Sequence, residues 1–242
     1  MTSTKKERVL YIKAIDPKAV DLYTNHNPAF EGDSGLDLFT LYDVNIRVGE
    51  TIMIDLGIQC ELIKTKTDIE SGKTIVSENE SYYLYLRSST GLNTPLRLAN
   101  QVAIIDGKYR GNIKVLLTHI ATKENIDNII STSCDVILEY SPQQNILDIE
   151  HVKEHIIGEL PVYQIKAGTK LVQLCTGGLK MFKTKLVDTL SETVRGDGCF
   201  GSTGISVNIE KDPTPPTDTN NNSGNDIVHL DSDVNGELSV EN

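Results

Sequence analysis

The chain of 242 residues has no tryptophan, only four phenylalanines and no long apolar run. Since hydrophobic residues still make up 38% of it, the sequence predicts a core built mainly from aliphatic side chains. A membrane-spanning helix needs about 20 successive apolar residues, and no stretch approaches that length. The first residues also lack an apolar signal segment. We therefore expect a soluble intracellular protein, cytoplasmic or nuclear, with no membrane partner.

Cysteines are few and scattered. The four lie at positions 60, 134, 175 and 199, and no two form a C-x-x-C pair. This spacing predicts neither a disulfide framework nor a zinc site. We expect reduced thiols.

Basic residues are absent from the last part of the chain. Residues 212–242 contain seven acidic side chains and no Lys or Arg. The rest of the chain holds 23 basic and 27 acidic residues, so its net charge is −4, whereas the whole chain has a net charge of −11. Proteins that bind duplex nucleic acid usually carry a basic stripe. The charge therefore argues against duplex nucleic acid as a partner, and it leaves room for a local group of cations that binds one small polyanion.

Strand-like runs outnumber helical ones. Most are short and rich in β-branched residues, several alternate between apolar and polar residues, and glycine-containing turns separate them. This pattern predicts an all-β fold, a jelly-roll-like barrel or sandwich, and not a parallel α/β sheet. The runs cover residues 9–15, 51–63, 81–87, 97–105, 112–121, 160–165 and 170–175.

Two polar insertions interrupt this spacing. Residues from about 64 to 80 are charged and predict an extended hairpin, whereas residues 122–159 show a weak amphipathic pattern. We expect one domain over residues 1–210 that includes both insertions and a glycine-rich arm at 194–204. The Pro-, Asn- and Ser-containing remainder, residues 211–242, predicts a disordered acidic tail.

The arm is typical of a mobile nucleotide clamp. Residues 195–204 read R-G-D-G-C-F-G-S-T-G. Glycines let backbone N–H groups approach anionic oxygens, Ser202 and Thr203 add hydroxyl donors, and Arg195 can bind a phosphate through two nitrogens. Phe200 offers a face on which a base can stack. Glycine-rich loops also serve as simple turns, so the interpretation depends on further blocks.

A second block predicts a phosphate cradle. In L-R-S-S-T-G-L, residues 86–92, a strand ends in Arg87, and the hydroxyls of Ser88 and Ser89 follow. A third block, residues 167–174, is a turn into a strand that bears Gln173. The amide of Gln173 can bind a phosphate oxygen or pair with a neighbouring strand.

A fourth block, residues 100–111, is an apolar strand that runs into a turn with Asp106 and Tyr109. An Asp at the end of a buried strand can act as general base for water, and a Tyr three residues later can pack against a sugar. The alternative is a turn Asp and a core Tyr. A fifth block, residues 34–38, carries a carboxylate for which capping is as good an explanation as catalysis, and we do not place it in the site.

In sequence order these blocks, S-G-L-D-L, R-S-S, N-x5-D-G-K-Y-R-G, A-G-T-K-L-V-Q-L and R-G-D-G-C-F-G-S-T-G, resemble the five motifs of the trimeric deoxyuridine triphosphate nucleotidohydrolase (dUTPase) family. The resemblance covers residues 9–204 except the two insertions. It implies a β jelly roll that forms a homotrimer, with each active site shared among subunits and closed by the arm.

The implied reaction is hydrolysis of dUTP to dUMP and pyrophosphate by water attack on the α-phosphorus, which clears dUTP from the nucleotide pool and supplies dUMP for dTMP synthesis. Mg²⁺ would be held mainly by the triphosphate, with no direct protein ligand. The resemblance makes Asp106 the general base and implies that Tyr109 stacks on deoxyribose. It further implies that Asn100 and the backbone of Ile104 and Ile105 recognise uracil. The implied ligands of the α- and β-phosphates are Arg87, Ser88, Ser89 and Gln173. In the arm, the resemblance implies that Arg195 binds the γ-phosphate, that Phe200 covers the base, and that phosphate is also bound by Gly201, Ser202 and Thr203.

The sequence departs from the family pattern at three positions: Ser89 where many relatives have Gly, Lys170 where many have Arg, and Cys199 where Gly is usual. None of these removes a group that the reaction needs. Two alternatives stay open. One is a dCTP deaminase, which also carries R-S-S but usually has Phe or Trp in place of Tyr109, and the other is an inactive jelly-roll module that binds partners through its insertion and tail.

Overall fold

The structure is a computed structural model that describes residues 3–30, 32–140, 156–158 and 160–198, apart from the side chains of 134–140. Strands dominate it, which confirms the all-β, jelly-roll-like fold predicted from the sequence. Its strands are β1 (Thr4–Ala14), β2 (Gly35–Phe39), β3 (Val44–Arg47), β4 (Thr51–Asp55), β5 (Ile58–Asp68), β6 (Thr74–Glu80), β7 (Tyr82–Leu86), β8 (Leu96–Leu98), β9 (Ala103–Ile105), β10 (Lys114–His119), β11 (Val162–Ile165), β12 (Lys170–Thr176) and β13 (Lys183–Leu186). Among the described residues the longer helices are α1 (Pro17–Tyr23), α2 (Ser88–Asn93) and α3 (Lys123–Tyr140), and Gly177–Leu179 form a short 3-10 helix.

Within the described residues the strands form four sheets, in the orders β13-β1-β5-β6, β4-β10-β8, β11-β3 and β2-β12-β7-β9. The pairings are antiparallel except that of β1 with β13. Alternate residues of most strands point into one shared core, which is largely aliphatic, as the lack of Trp predicts. Leu10, Ile46, Leu62, Leu84 and Leu174 are among its fully buried members.

The first insertion is the hairpin that the sequence predicts. Strands β5 and β6 pair through Lys64 and Glu78, and β6 is exposed along nearly its whole length. In the second insertion, α3 presents exposed Ile126 and Ile130 on its first turns. The rest of that insertion, apart from 156–158, and the predicted tail at 211–242 lie outside the described residues.

Two long strand predictions are wrong in their extent. The run at 51–63 divides into β4 and β5 because the chain turns at Gly57, where φ is +63°. The run at 97–105 divides into β8 and β9 at a turn where Gln101 has φ of +59°. Helix α1, which begins after Asp16, was not predicted from the sequence. The side chain of Asp16 accepts from the amide of Lys18 at 2.9 Å.

Candidate active site

The sheet β2-β12-β7-β9 brings four of the five motif blocks together. Asp37 on β2 pairs with Gln173 on β12, and Gln173 pairs in turn with Tyr85 on β7. On the other side of β7, Ile105 of β9 pairs with Tyr82. The R-S-S block therefore follows the last residue of β7, whereas the turn with Asp106 lies beside Tyr82, the first residue of β7.

Arg87 is the most strongly held cation at the end of β7. Its Nε lies 2.7 Å from Oδ1 of Asp37, and its Nη1 donates to the carbonyl oxygen of Lys170 at 3.2 Å. Nζ of Lys170 is 3.7 Å from the other oxygen of Asp37. One carboxylate thus orients two cations that are both partly exposed, as a site for a polyanion requires.

Gln173 and Gly35 lie side by side on paired strands. A Cβ atom added at Gly35 would lie 3.2 Å from Cδ of Gln173, and closer still to its Oε1 oxygen. The missing side chain at Gly35 therefore provides the space that the amide of Gln173 occupies.

A cavity of about 950 Å³ opens over these groups. Ser88 and Ser89, in the first turn of α2, lie on its wall with exposed hydroxyl groups. His26 also lines the cavity, with Nε2 2.7 Å from the carbonyl oxygen of Asp37. Burial, with a further contribution from the charge of Lys170, lowers the pKa of His26 from its ordinary value.

The second group of motif residues surrounds the turn after β9. Asp106 is exposed, and Ile104 on the edge of β9 is 68% exposed. Asn100 is also exposed. Such an accessible edge leaves the backbone of β9 open to a base.

Tyr109 is buried below the turn. Its hydroxyl donates to the carbonyl oxygen of Asn112 at 2.9 Å, and its backbone amide donates to the carbonyl oxygen of Asp106 at 3.0 Å. The ring packs against Gly111, where a side chain would collide with it. Tyr109 is thus fixed within the turn that begins at Asp106, with about 8% of its surface exposed.

The start of the arm reaches the same turn. Arg195 forms an ion pair with Asp106 in which both side chains stay partly exposed. The structure therefore places Arg195 on the predicted base. Phe200, Gly201, Ser202 and Thr203, the other arm residues predicted to bind substrate, lie outside the described residues.

The two groups of motif residues are far apart in one chain. Ile105 pairs with Tyr82, so Asp106 lies next to residue 81, six residues before Arg87 along β7. At the usual rise of a strand, six residues span about 20 Å. We call the residues around Arg87 the phosphate group and those around Asp106 the nucleoside group. A single chain does not bring the two groups to one point.

Sequence reasoning missed two features of the site. Asp37 was left aside as a turn residue, although it holds both Arg87 and Lys170. The network of Arg110 with Glu61 was also missed, because these residues lie 49 positions apart and Glu61 belongs to none of the motif blocks. For Asp37 the signal was its place within the first motif.

In the part of the chain that the structure describes, no group of three or more His, Cys, Asp or Glu is arranged to hold a metal ion. None of the described helices is both long enough and apolar enough to cross a membrane.

No family model matches the chain. Among curated proteins it is similar to the deoxyuridine 5'-triphosphate nucleotidohydrolase of Clostridium acetobutylicum, 27% identical over 197 residues, which are 81% of this chain and 97% of that protein. The enzyme of the same name from Clostridium kluyveri is 28% identical over 195 residues, with the same coverage of both chains. Among solved structures, a mutant dUTPase of Staphylococcus bacteriophage 80alpha with dUpNHpp has a TM-score of 0.41 and 19% identity, and the match covers 81% of this chain and 98% of that one. The resemblance to the dUTPase family predicted from the five motifs is therefore confirmed over about four fifths of the chain.

Proposed function

We propose that this protein hydrolyses dUTP to dUMP and pyrophosphate. One observation carries the proposal: an exposed carboxylate, Asp106, directly follows the accessible edge strand β9, and its carbonyl oxygen accepts the backbone amide of the buried Tyr109 at 3.0 Å. The similarity to curated dUTPases over most of the chain supports the same substrate. In a cell this activity removes dUTP from the nucleotide pool and supplies dUMP for dTMP synthesis.

In the proposed mechanism a water molecule attacks the α-phosphorus. Asp106 accepts a proton from that water, a new P–O bond forms, and the bond from the α-phosphorus to the oxygen that bridges to the β-phosphate breaks. Pyrophosphate leaves with that oxygen. The ion pair of Arg195 with Asp106 must open before this step, which frees Arg195 to bind the γ-phosphate.

The phosphate group neutralises charge. Arg87 and Lys170 are oriented by Asp37, and the amide of Gln173 and the hydroxyls of Ser88 and Ser89 supply further donors. Fixed donors at a phosphoryl centre stabilise charge that develops in the transition state. We propose that this group binds the α- and β-phosphates.

The nucleoside group selects the substrate. We propose that Asn100 and the backbone at Ile104 and Ile105 read the uracil edge and that Tyr109 lies against deoxyribose. Because Tyr109 is fixed by its hydroxyl bond to Asn112, its ring does not yield to an added 2′-hydroxyl. Phe200, Gly201, Ser202 and Thr203 complete our proposal as the closing arm.

We further propose a homotrimer with composite sites. A base and a phosphate ligand must both lie within hydrogen-bond reach of one α-phosphate or its water. The separation of about 20 Å between the two groups in one chain supports a site built from the nucleoside group of one subunit and the phosphate group of another.

Mg²⁺ is proposed as part of the substrate complex. Triphosphate oxygens are hard ligands that suit Mg²⁺, and the metal offsets charge that Arg87 and Lys170 neutralise from the protein side. We expect chelation by EDTA to abolish turnover and added Mg²⁺ to restore it. We also propose that the protein works inside the cell, on free nucleotide.

The test is a pyrophosphate-release assay with dUTP, dCTP and dTTP in parallel, together with ammonia detection for dCTP. We expect release from dUTP alone. Ammonia from dCTP would identify a deaminase, and no product from any of the three would leave a binding module.

A further inference from the structure

Arg110 is a buried cation that directly follows Tyr109. It is 8% exposed, and all three guanidinium nitrogens donate hydrogen bonds. Nη1 donates to the carbonyl oxygens of Tyr109 at 2.8 Å and Gly107 at 3.0 Å. These carbonyls flank Lys108 in the turn that carries Asp106, so one nitrogen fixes both sides of the turn.

A second nitrogen, Nη2, connects this turn to a different sheet. Nη2 lies 2.8 Å from Oε2 of Glu61 on β5 and 2.9 Å from Oδ1 of Asn79. Glu61 is buried, 7% exposed, and accepts a second bond from the hydroxyl of Ser191 at 2.5 Å. A buried carboxylate with such partners is held in one position, because losing Arg110 would leave its charge uncompensated and losing Ser191 would remove one of its hydrogen bonds.

Arg110 also binds the segment that leads into the arm and the first residues of the arm. Nε donates to the carbonyl oxygen of Ser191 at 2.9 Å, and the backbone amide of Arg110 donates to the carbonyl oxygen of Gly196 at 2.7 Å. Thr193 adds a bond from its hydroxyl to the carbonyl oxygen of Lys108 at 2.5 Å. Residues 191–196 are therefore attached to the turn of their own chain.

We propose that Arg110, held by Glu61, is a positioning residue for the reaction. It sets the turn that presents Asp106, the height of the Tyr109 ring beneath the sugar, and the point from which the arm departs. The inference rests on the proposed function. It assigns no contact with substrate to Arg110, which acts through the backbone of its neighbours.

The test uses Arg110→Lys in the full-length protein. Lysine keeps the charge opposite Glu61, but a single ammonium group cannot bind Gly107, Tyr109, Glu61 and Ser191 together. We expect kcat/KM for dUTP to fall about 10- to 100-fold, as for a displacement of about 1 Å at a reacting centre. Because Tyr109 also moves, we expect the ratio of kcat/KM for dUTP to that for UTP to fall at least about fivefold.

The ratio separates positioning from loss of folded protein. A destabilised variant has fewer active molecules, which lowers turnover of both nucleotides by the same factor and leaves their ratio unchanged. Arg8→Lys is the matched control, since Arg8 also binds a glutamate, Glu80, through two nitrogens on the sheet of β5. We expect its ratio to equal that of the parent.

Glu61→Gln keeps an acceptor for Arg110 while removing the negative charge. It tests the positioning role of Arg110 if Arg110→Lys does not fold. We expect a smaller fall in the same ratio. A parent that hydrolyses dUTP and a folded Arg110→Lys or Glu61→Gln variant with an unchanged ratio would overturn the positioning role alone. A parent without dUTP hydrolysis would overturn the proposed function and the inference together.

Discussion

Mixing two inactive variants should restore activity if the site is composite. Asp106→Asn removes the base from the nucleoside group, and Arg87→Gln removes a cation from the phosphate group. We expect each variant alone to lose about 10²- to 10³-fold in kcat or more, the usual cost of removing a positioned base or a charge-stabilising donor.

The restored fraction follows from the geometry. In one chain the two groups lie about 20 Å apart along β7, so each site takes Asp106 from one subunit and Arg87 from the next. Every trimer that contains both variants then has one intact site out of three, whether it holds two copies of one variant or two of the other. When equal amounts mix at random, about three quarters of the trimers contain both variants. The mixture should therefore recover about one quarter of the activity of the unmutated protein.

The assay combines co-refolded, differently tagged variants, isolates the doubly tagged trimers and measures pyrophosphate release from dUTP. The matched control is a mixture of Asp106→Asn with Tyr109→Ala. Both defects lie in the nucleoside group, so each subunit has one of them and no site is intact. The shared site would be refuted if doubly tagged trimers of Asp106→Asn with Arg87→Gln were no more active than either variant alone.

Three further results are expected. The buried ring of Tyr109 should make kcat/KM for dUTP about 100-fold or more above that for UTP, measured side by side. Truncation after Thr193 should leave a trimer that sediments as folded protein, because the hydrogen bonds of residues 191–193 remain, but its activity should fall at least about tenfold because the arm is lost. Truncation after Ile209 should change neither sedimentation nor activity appreciably. Because burial lowers the pKa of His26, the folded state binds a proton less readily than the unfolded one, so unfolding free energy should fall as pH drops below about 6.5, and less so in His26→Gln.

Each of these has a clear contrary outcome. Equal kcat/KM for dUTP and UTP would remove the sugar discrimination assigned to Tyr109. Full activity after truncation at Thr193 would show that the arm does not close the site. Parallel pH curves of unfolding free energy for the parent and His26→Gln would mean that His26 does not carry the acid sensitivity.

Local sequence patterns were enough for most strands and for the motif blocks. Alternation in residues 82–86 and the Arg-Ser-Ser that follows predicted a strand over 81–87, and the observed strand covers Tyr82–Leu86, with Arg87 directly after it. The break at Gly57 was missed because apolar residues continue on both sides, and only the positive φ of that glycine shows the turn. Helix α1 was recognisable in principle from Asp16 followed by Pro17, a cap and a favoured first helical residue.

Contacts between distant segments were beyond that reasoning. Asp37 and Arg87 are 50 positions apart, and only the register of β2, β12 and β7 brings them together. The separation of Asp106 from Arg87 likewise depends on which end of β7 meets β9. A one-dimensional order of motifs therefore predicts the members of the site but not their division into two groups.

The close approach of Gly35 to Gln173 has a consequence for natural variation at that position. A methyl group there meets the far end of the flexible Gln173 side chain, which can rotate away, and Sγ of Cys175 at 3.3 Å, which needs to shift by only a few tenths of an ångström. The displaced amide would then no longer be directed into the phosphate cavity. Alanine at position 35 would thus pass selection for stable, well-expressed protein and be removed only by selection on turnover. Variant scans scored by protein abundance and by activity should therefore disagree about alanine at this position.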